Sequence, residues 1–88
     1  MRVRVDDDDA ESRMWEERAS RLLRARLAYA GLTQKQLAER LSRPGRRLSA
    51  ASINSKTSRG TFTAAFLLEA LDALGERRLE LPDWPPPE

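Results

Sequence analysis

The chain has 88 residues, enough for one small domain with its own hydrophobic core. It contains no cysteine and no histidine, which excludes disulfides, thiolate and imidazole metal sites, and catalysis by a cysteine nucleophile or an imidazole base. The net charge of +2 is unevenly distributed, because residues 21–60 hold ten Lys and Arg against one Glu, whereas residues 1–20 and 61–88 are both net acidic. A basic segment between acidic ends is typical of a phosphate-binding surface.

The first ten residues are predicted to form an acidic, flexible leader, because the four consecutive aspartates Asp6–Asp9 disfavour both helix and strand. A helix is expected from about Ala10 to Ala30, where apolar residues recur at spacings of three and four, and Gly31 is expected to end it. The sequence shows neither a secretory signal nor a run of about 18 apolar residues. We therefore expect a cytoplasmic protein that makes no membrane contact.

Three further helices are predicted from capping residues that stand between pairs of apolar side chains. The expected ranges are 33–41, 49–57 and 63–75. In the first of them Thr33 and Gln36 have the spacing of a capping box. The pattern predicts an all-α fold, a compact bundle of four to five short helices.

The C-terminal segment is expected to be extended. Arg78–Leu81 alternates polar and apolar residues, which is typical of a short strand or an extended segment that pairs with Val3 and Val5 or with another chain. Prolines at 82 and 85–87 prevent regular structure beyond it. The chain therefore divides into a leader (1–10), one helical domain (11–76) and an extended, Pro-rich tail (77–88).

Aromatic side chains are expected to serve packing. Trp15, Phe62 and Phe66 are assigned to the core, Tyr29 to packing at a helix end, and Trp84 to covering apolar surface. The serines have no histidine beside them, so we expect no enzymatic activity, and the composition indicates no cofactor, no metal and no small-molecule substrate.

Residues 32–41 (LTQKQLAERL) combine a hydrophobic staple with the capping box and are similar to the start of the Cro/lambda-repressor-like (XRE-type) helix-turn-helix domain. Residues 63–75 resemble the helix that follows in that family. The resemblance implies a helix-turn-helix that binds double-stranded DNA as a small transcriptional regulator, and a homodimer that reads two half-sites. Two features depart from the family pattern: the turn 42–48 is several residues longer than usual, and residues 57–60 replace the usual end of the recognition helix. With this longer turn and the Arg-Gly-Thr-Phe sequence at residues 59–62, the chain also resembles an uncharacterised bacterial domain-of-unknown-function family.

Candidate contacts follow from helix geometry. Phosphate contacts are expected at the start of the second helix and in the long turn, from Thr33, Gln34, Lys35, Arg43, Arg46 and Arg47. Base contacts are expected from the outward side of the third helix and its end, from Ala51, Ser52, Asn54, Ser55, Lys56 and Arg59. Asn54, near the edge of that face, is a candidate for bidentate contact with adenine. Arg21, Arg24 and Arg26 are interpreted as solubilising.

Two other functions fit the same residues. The first is a protein-interaction adaptor on a helix-turn-helix scaffold, which uses its basic face on an acidic partner such as the aspartate run of another copy. The second is binding to structured RNA, which the charge fits equally well and the helix-turn-helix less well.

Overall fold

Four helices make up the structure of the chain, a computed structural model that describes residues 5–85, with the backbone alone for residues 5–9. The helices are α1 (Val5–Ala30), α2 (Gln34–Leu41), α3 (Ala50–Arg59) and α4 (Ala64–Ala73). The predicted all-α class is confirmed. Within residues 5–85, no helix combines the length and the apolar character needed to cross a membrane.

The first helix begins earlier than predicted. It starts at Val5, so the expected start near Ala10 was wrong. The backbone of Asp6–Asp9 forms the first turns of α1. Residues 1–4 of the predicted leader lie outside the described residues.

The other three helices begin at the predicted capping residues. The Thr33 hydroxyl accepts the Gln36 backbone N–H at 3.1 Å, and the Gln36 side-chain oxygen accepts the Thr33 N–H at 2.8 Å. Ser49 caps α3 and Thr63 caps α4, each accepting a backbone N–H three residues further on. Each cap satisfies an N–H that has no partner inside the helix, so these starts are specified by neighbouring residues alone.

The core lies between all four helices. It contains Leu23, Leu27, Leu37, Ala38, Leu41, Ile53, Phe66, Ala70 and Leu71. Thr57 of α3 is fully buried among them, and its hydroxyl donates to the backbone oxygen of Ile53 at 2.9 Å, which satisfies the polar group inside the core. Phe66 is therefore in the core as predicted, and Phe62 packs against it from the edge.

One aromatic residue was placed wrongly by sequence: Trp15 is 47% exposed and does not belong to the core. Tyr29, assigned to packing at a helix end, is 77% exposed and contacts the Arg26 guanidinium. Trp15 instead meets Trp84 edge to face, with ring centroids 5.7 Å apart. The Arg18 guanidinium lies over both indoles and donates to the backbone oxygen of Pro85 at 3.0 Å. The C-terminal tail is thus folded back on α1, and Trp84 covers apolar surface as expected.

The tail makes no β-strand between residues 77 and 85. The strand suggested for Arg78–Leu81 is therefore absent from this part of the chain, because the segment packs on helices through the side chain of Leu79 and finds no strand to pair with. Of its suggested partners, Val5 lies in α1 and Val3 lies outside the described residues. Residues 78–81 form no regular secondary structure.

Removing the Trp84 indole is expected to release the tail from α1. In Trp84→Ala, the free energy of unfolding should fall by about 1 kcal/mol, through loss of the edge-to-face pair and the cation–π contact. The near-UV circular dichroism of the indoles should weaken more than removal of one tryptophan explains. Leu81→Ala, in the same tail at a 61% exposed position, is the control and should leave both signals unchanged. If the near-UV circular dichroism of Trp84→Ala fell only by the contribution of one tryptophan, the result would contradict the contact between Trp84 and Trp15.

Candidate nucleic-acid interface

The N-terminus of α2 and the outer side of α3 lie next to each other. Gln34, the first residue of α2, donates from its side-chain nitrogen to the side-chain oxygen of Asn54 at 3.3 Å. Asn54 is exposed, as is Lys35 beside Gln34. One residue predicted to contact phosphate and one predicted to contact bases therefore meet at the surface.

This contact continues onto α1. The Ser58 hydroxyl lies 3.4 Å from the side-chain oxygen of Asn54, and the Arg24 guanidinium donates to the Ser58 hydroxyl at 2.7 Å. We call Arg24, Ser58, Asn54 and Gln34 the polar chain. It joins three helices across one exposed surface, so α1 takes part in the face that α2 and α3 form.

The outer face of α3 carries four of the six residues predicted to contact bases. Ala51, Ser55 and Arg59 follow one another at spacings of four, which aligns them on one side of the helix. Ala51, Asn54 and Arg59 are exposed, and Ser55 is half-buried. Their small or flexible side chains leave this face open to a large partner.

Ser52 and Lys56 have partners inside the domain. The Ser52 hydroxyl accepts the Ser49 backbone N–H at 3.3 Å and donates to the Ser49 backbone oxygen at 3.0 Å, which completes the cap of α3. The Lys56 ammonium lies 5.3 Å from the ring centroid of Phe66, in a cation–π contact. Both residues are therefore engaged within the domain, although the Lys56 side chain stays exposed. Ser52 occupies the third position of the helix, where a side chain can reach back to the cap.

The long turn between α2 and α3 has a defined structure. Arg43 and Arg46 exchange two backbone hydrogen bonds of 2.8 Å, which close a tight turn through Pro44 and Gly45. Gly45 has a φ of +82°, the conformation that a Pro-Gly turn of type II requires. The Ser42 hydroxyl donates to the Ala38 oxygen and accepts the Leu48 N–H, which fastens the base of the turn. The residues that make the turn 42–48 longer than the usual helix-turn-helix turn thus have a defined, hydrogen-bonded conformation.

Two arginines of this turn are held by one carboxylate of α4. Glu69 accepts from Arg46 at 2.7 Å and 2.9 Å, in a bidentate arrangement, and forms a further ion pair with Arg43. Hydrogen bonding from the Arg46 guanidinium holds the pKa of Glu69 below its ordinary value, and the same bond raises the pKa of Arg46. The turn is therefore less basic toward a ligand than its three arginines imply.

Glu69→Gln is expected to destabilise the turn mainly at neutral pH. The lowered pKa of Glu69 means that its stabilising effect is present above the pKa of a glutamate in the unfolded chain, about 4.3, and is lost as pH falls through the folded pKa. The difference in unfolding free energy between the two proteins should therefore be clear at pH 7 and smaller at about pH 3. Urea unfolding at both pH values measures it. Glu80→Gln, at an exposed position of the tail, is the control, and an equal difference at both pH values would contradict the assignment.

The remaining residues of the predicted phosphate set differ in availability. The Thr33 oxygen is engaged in the cap of α2, although its own O–H remains a donor. Lys35 and Arg47 are exposed, and neither forms a hydrogen bond or an ion pair within residues 10–85. Gln34 presents its amide nitrogen to Asn54. Lys35 and Arg47 are therefore the uncompensated charges of this set.

Sequence reasoning missed the contribution of α1. A groove of about 800 Å³ runs between α1 and the end of α3 and is lined by Arg13, Arg21, Arg24, Ser58, Arg59 and the carboxylates Glu16 and Glu17. Arg21 pairs with Glu17, and Arg24 donates to Ser58. These two arginines therefore line a surface between helices, whereas they were interpreted from sequence as solubilising. Their spacing of three on one helix side was the available signal. Arg26 is separate, since it pairs with Glu76 and lies over Tyr29.

Gly60 fixes the position of α1 on α3. Its φ is +67°, and a Cβ atom placed on it would lie 1.8 Å from the backbone oxygen of Glu16. The end of α3 therefore lies directly against the α1 backbone, which brings Ser58 within reach of Arg24.

The model of one protein family matches residues 15–79, a range that contains the packed part of all four helices, the folded turn, Gly60 and the complete polar chain. No curated protein and no solved structure matches the chain. The family carries the description "Domain of unknown function", which agrees with the second of the two family resemblances noted in the sequence. The chain belongs to this family, DUF6471.

Proposed function

We propose that this chain binds double-stranded DNA through a helix-turn-helix of the XRE type formed by α2 and α3, and acts as a small transcriptional regulator. The observation that carries the proposal is the hydrogen bond between Gln34 and Asn54, because it sets the N-terminus of α2 beside the outer face of α3. In a helix-turn-helix the second helix enters the major groove while the first lies across the phosphate backbone. The unpaired N–H groups at the start of α2 are suited to a phosphate there.

The charges around this face support a polyanionic partner. Lys35, Arg59 and Arg24 surround the exposed side of α3, and Arg47 lies on the folded turn. Two described carboxylates, Glu16 and Glu17, line the groove at the edge formed by α1 and Arg24, and Glu17 is paired with Arg21. Exposed cations of this kind add salt-dependent affinity without sequence information. Sequence-specific or semi-specific recognition therefore has to come from the outer face of α3.

A homodimer is part of the proposal. The outer face of α3 offers one long donor, Arg59, and otherwise small side chains, which limits what a single copy can discriminate. Two copies that read half-sites about one helical turn apart would double the contact. Light scattering of the free protein and of the complex measures the number of copies.

A gel-shift series on duplex DNA across salt concentrations tests the proposal. We expect the protein to bind duplex DNA at low salt, and the logarithm of the binding constant to fall linearly with the logarithm of the salt concentration. Competition with duplex RNA of the same length separates DNA from RNA binding, because the α3 face fits the wide major groove of B-form DNA and not the deep, narrow groove of RNA. Failure to bind duplex DNA at low salt would overturn the proposal.

A second candidate is a protein-interaction adaptor that uses the basic face on an acidic partner. Arg43 and Arg46 bind one carboxylate of the domain, Glu69, and an acidic peptide offers the same chemical group in competition with it. Titration with a poly-glutamate peptide tests it. Saturable binding of the peptide by a protein that does not bind duplex DNA would favour the adaptor.

A further inference from the structure

The oxygen of the Asn54 side chain is fully engaged by its neighbours. It accepts from the Gln34 side-chain nitrogen at 3.3 Å and from the Ser58 hydroxyl at 3.4 Å. A carbonyl oxygen has two lone pairs, so both are in use. The group that remains for a ligand at this exposed position is the amide nitrogen of Asn54, which only donates.

Donors approach the Asn54 side-chain oxygen from both ends of the polar chain. A guanidinium has no acceptor, so Arg24 donates to Ser58, and the Ser58 O–H is left to donate to Asn54. At the other end, the Gln34 side-chain nitrogen donates to Asn54, and the Gln34 side-chain oxygen is buried without a hydrogen-bond partner among the described residues. Donors converge on the Asn54 oxygen from both sides.

We infer that Asn54 is a specificity-determining residue that reads hydrogen-bond acceptors in the major groove, with guanine as its preferred base. This inference rests on the proposed function and specifies its ligand. Guanine presents two acceptors, O6 and N7, whereas adenine and thymine present one each and cytosine presents only a donor. The bidentate contact with adenine expected from sequence needs a free Asn54 oxygen, so it is not compatible with the polar chain.

Ser58 and Gln34 are positioning residues in this arrangement. Neither needs to touch a base, because each acts by occupying one lone pair of the Asn54 oxygen. Removing the Ser58 hydroxyl frees one lone pair, and the amide then offers both an acceptor and a donor. Ser58→Ala should therefore move the base preference toward adenine, a change that loss of stability alone does not produce.

Selection from a randomised duplex pool at low salt, followed by binding measurements on single duplexes, tests the inference. The proteins compared are wild type, Asn54→Ala, Ser58→Ala and Ser12→Ala. Ser12→Ala is the control, because it makes the same chemical change as Ser58→Ala at an exposed position of α1. Wild type and Ser12→Ala should share one position where guanine binds roughly tenfold better than adenine. Asn54→Ala should lose this discrimination, and Ser58→Ala should reduce or reverse it.

Each other outcome is decisive. Two results would overturn the inference: a wild-type preference for adenine that depends on Asn54, and base preferences that are unchanged in Asn54→Ala. In both cases salt-dependent binding to duplex DNA would still support the proposed function. Absence of duplex binding at low salt would overturn the proposed function, and the inference with it. Thermal melts of the variants are measured first, and exposed Asn54 and Ser58 are expected to tolerate alanine.

Discussion

Gly60→Ala is expected to lower the free energy of unfolding by about 2–5 kcal/mol, a large part of the 5–15 kcal/mol that a domain of this kind possesses. Two effects add. The left-handed conformation at φ +67° costs a residue with a Cβ about 1–2 kcal/mol. The new Cβ would lie 1.8 Å from the Glu16 backbone oxygen, so backbone must move, and overpacking of this kind costs about 1–3 kcal/mol.

Gly31→Ala separates the two effects. Gly31 also has a positive φ, +74°, but a Cβ placed there meets nothing within 4 Å. Its replacement should therefore cost only the conformational part, about 1–2 kcal/mol. Urea unfolding of wild type and both variants gives the comparison. Equal losses in Gly60→Ala and Gly31→Ala would mean that the approach of α3 to α1 is not tight.

The same substitution should also disturb the candidate interface. The contact at Gly60 sets the distance between α1 and the end of α3, and the bond from Arg24 to Ser58 depends on that distance. If Gly60→Ala remains folded at low temperature, its duplex binding should be weaker than that of Gly31→Ala. This result would link the packing of α1 to binding.

Replacing Lys35 and Arg59 together by alanine is expected to weaken binding to all duplex sequences. Both cations are exposed, one at the start of α2 and one at the end of α3, and neither pairs with a carboxylate within residues 10–85. If each neutralises one phosphate, the logarithmic salt slope should become shallower by about 1.8, and affinity near 0.1 M salt should fall on the order of 50-fold. Fluorescence anisotropy on one labelled duplex across salt concentrations measures both quantities.

Arg77→Ala with Arg78→Ala is the matched control. This double variant removes the same charge from the segment after α4, where Arg77 pairs with Asp72 at 3.0 Å and neither residue borders the polar chain. Its salt slope should stay close to that of wild type. Equal losses in the two double variants would show that overall charge, and not the face formed by α1, α2 and α3, drives binding.

Much of the fold was predictable because its signals are local. Thr33, Ser49 and Thr63 each act on an N–H only three residues away, so the starts of α2, α3 and α4 were predicted correctly. The end of α3 was placed at Thr57 but lies at Arg59, because the helix continues until Gly60 meets α1. Trp15 was assigned to the core because an apolar pattern does not distinguish a buried position from one covered by a distant tail.

The candidate site was predictable only in part. Gln34 and Asn54 were both chosen from helix geometry, and the structure joins them. Arg24 was missed because its partner, Ser58, lies 34 residues away in sequence. Arg43 and Arg46 were counted as free charges because the carboxylate that binds them, Glu69, lies on a helix more than twenty residues further along.

The amino-acid sequence alone therefore specifies the helices, their capped starts, the absence of imidazole and thiol chemistry, and the basic central segment. These properties depend on composition and on interactions across three or four residues. The packing of the helices determines which of the basic residues remain available, since Glu69 binds two arginines of the turn while Arg24 joins Ser58 and Asn54. Hydrogen bonds and ion pairs between distant residues form only when docking brings their atoms within about 3 Å, and no local pattern encodes that distance.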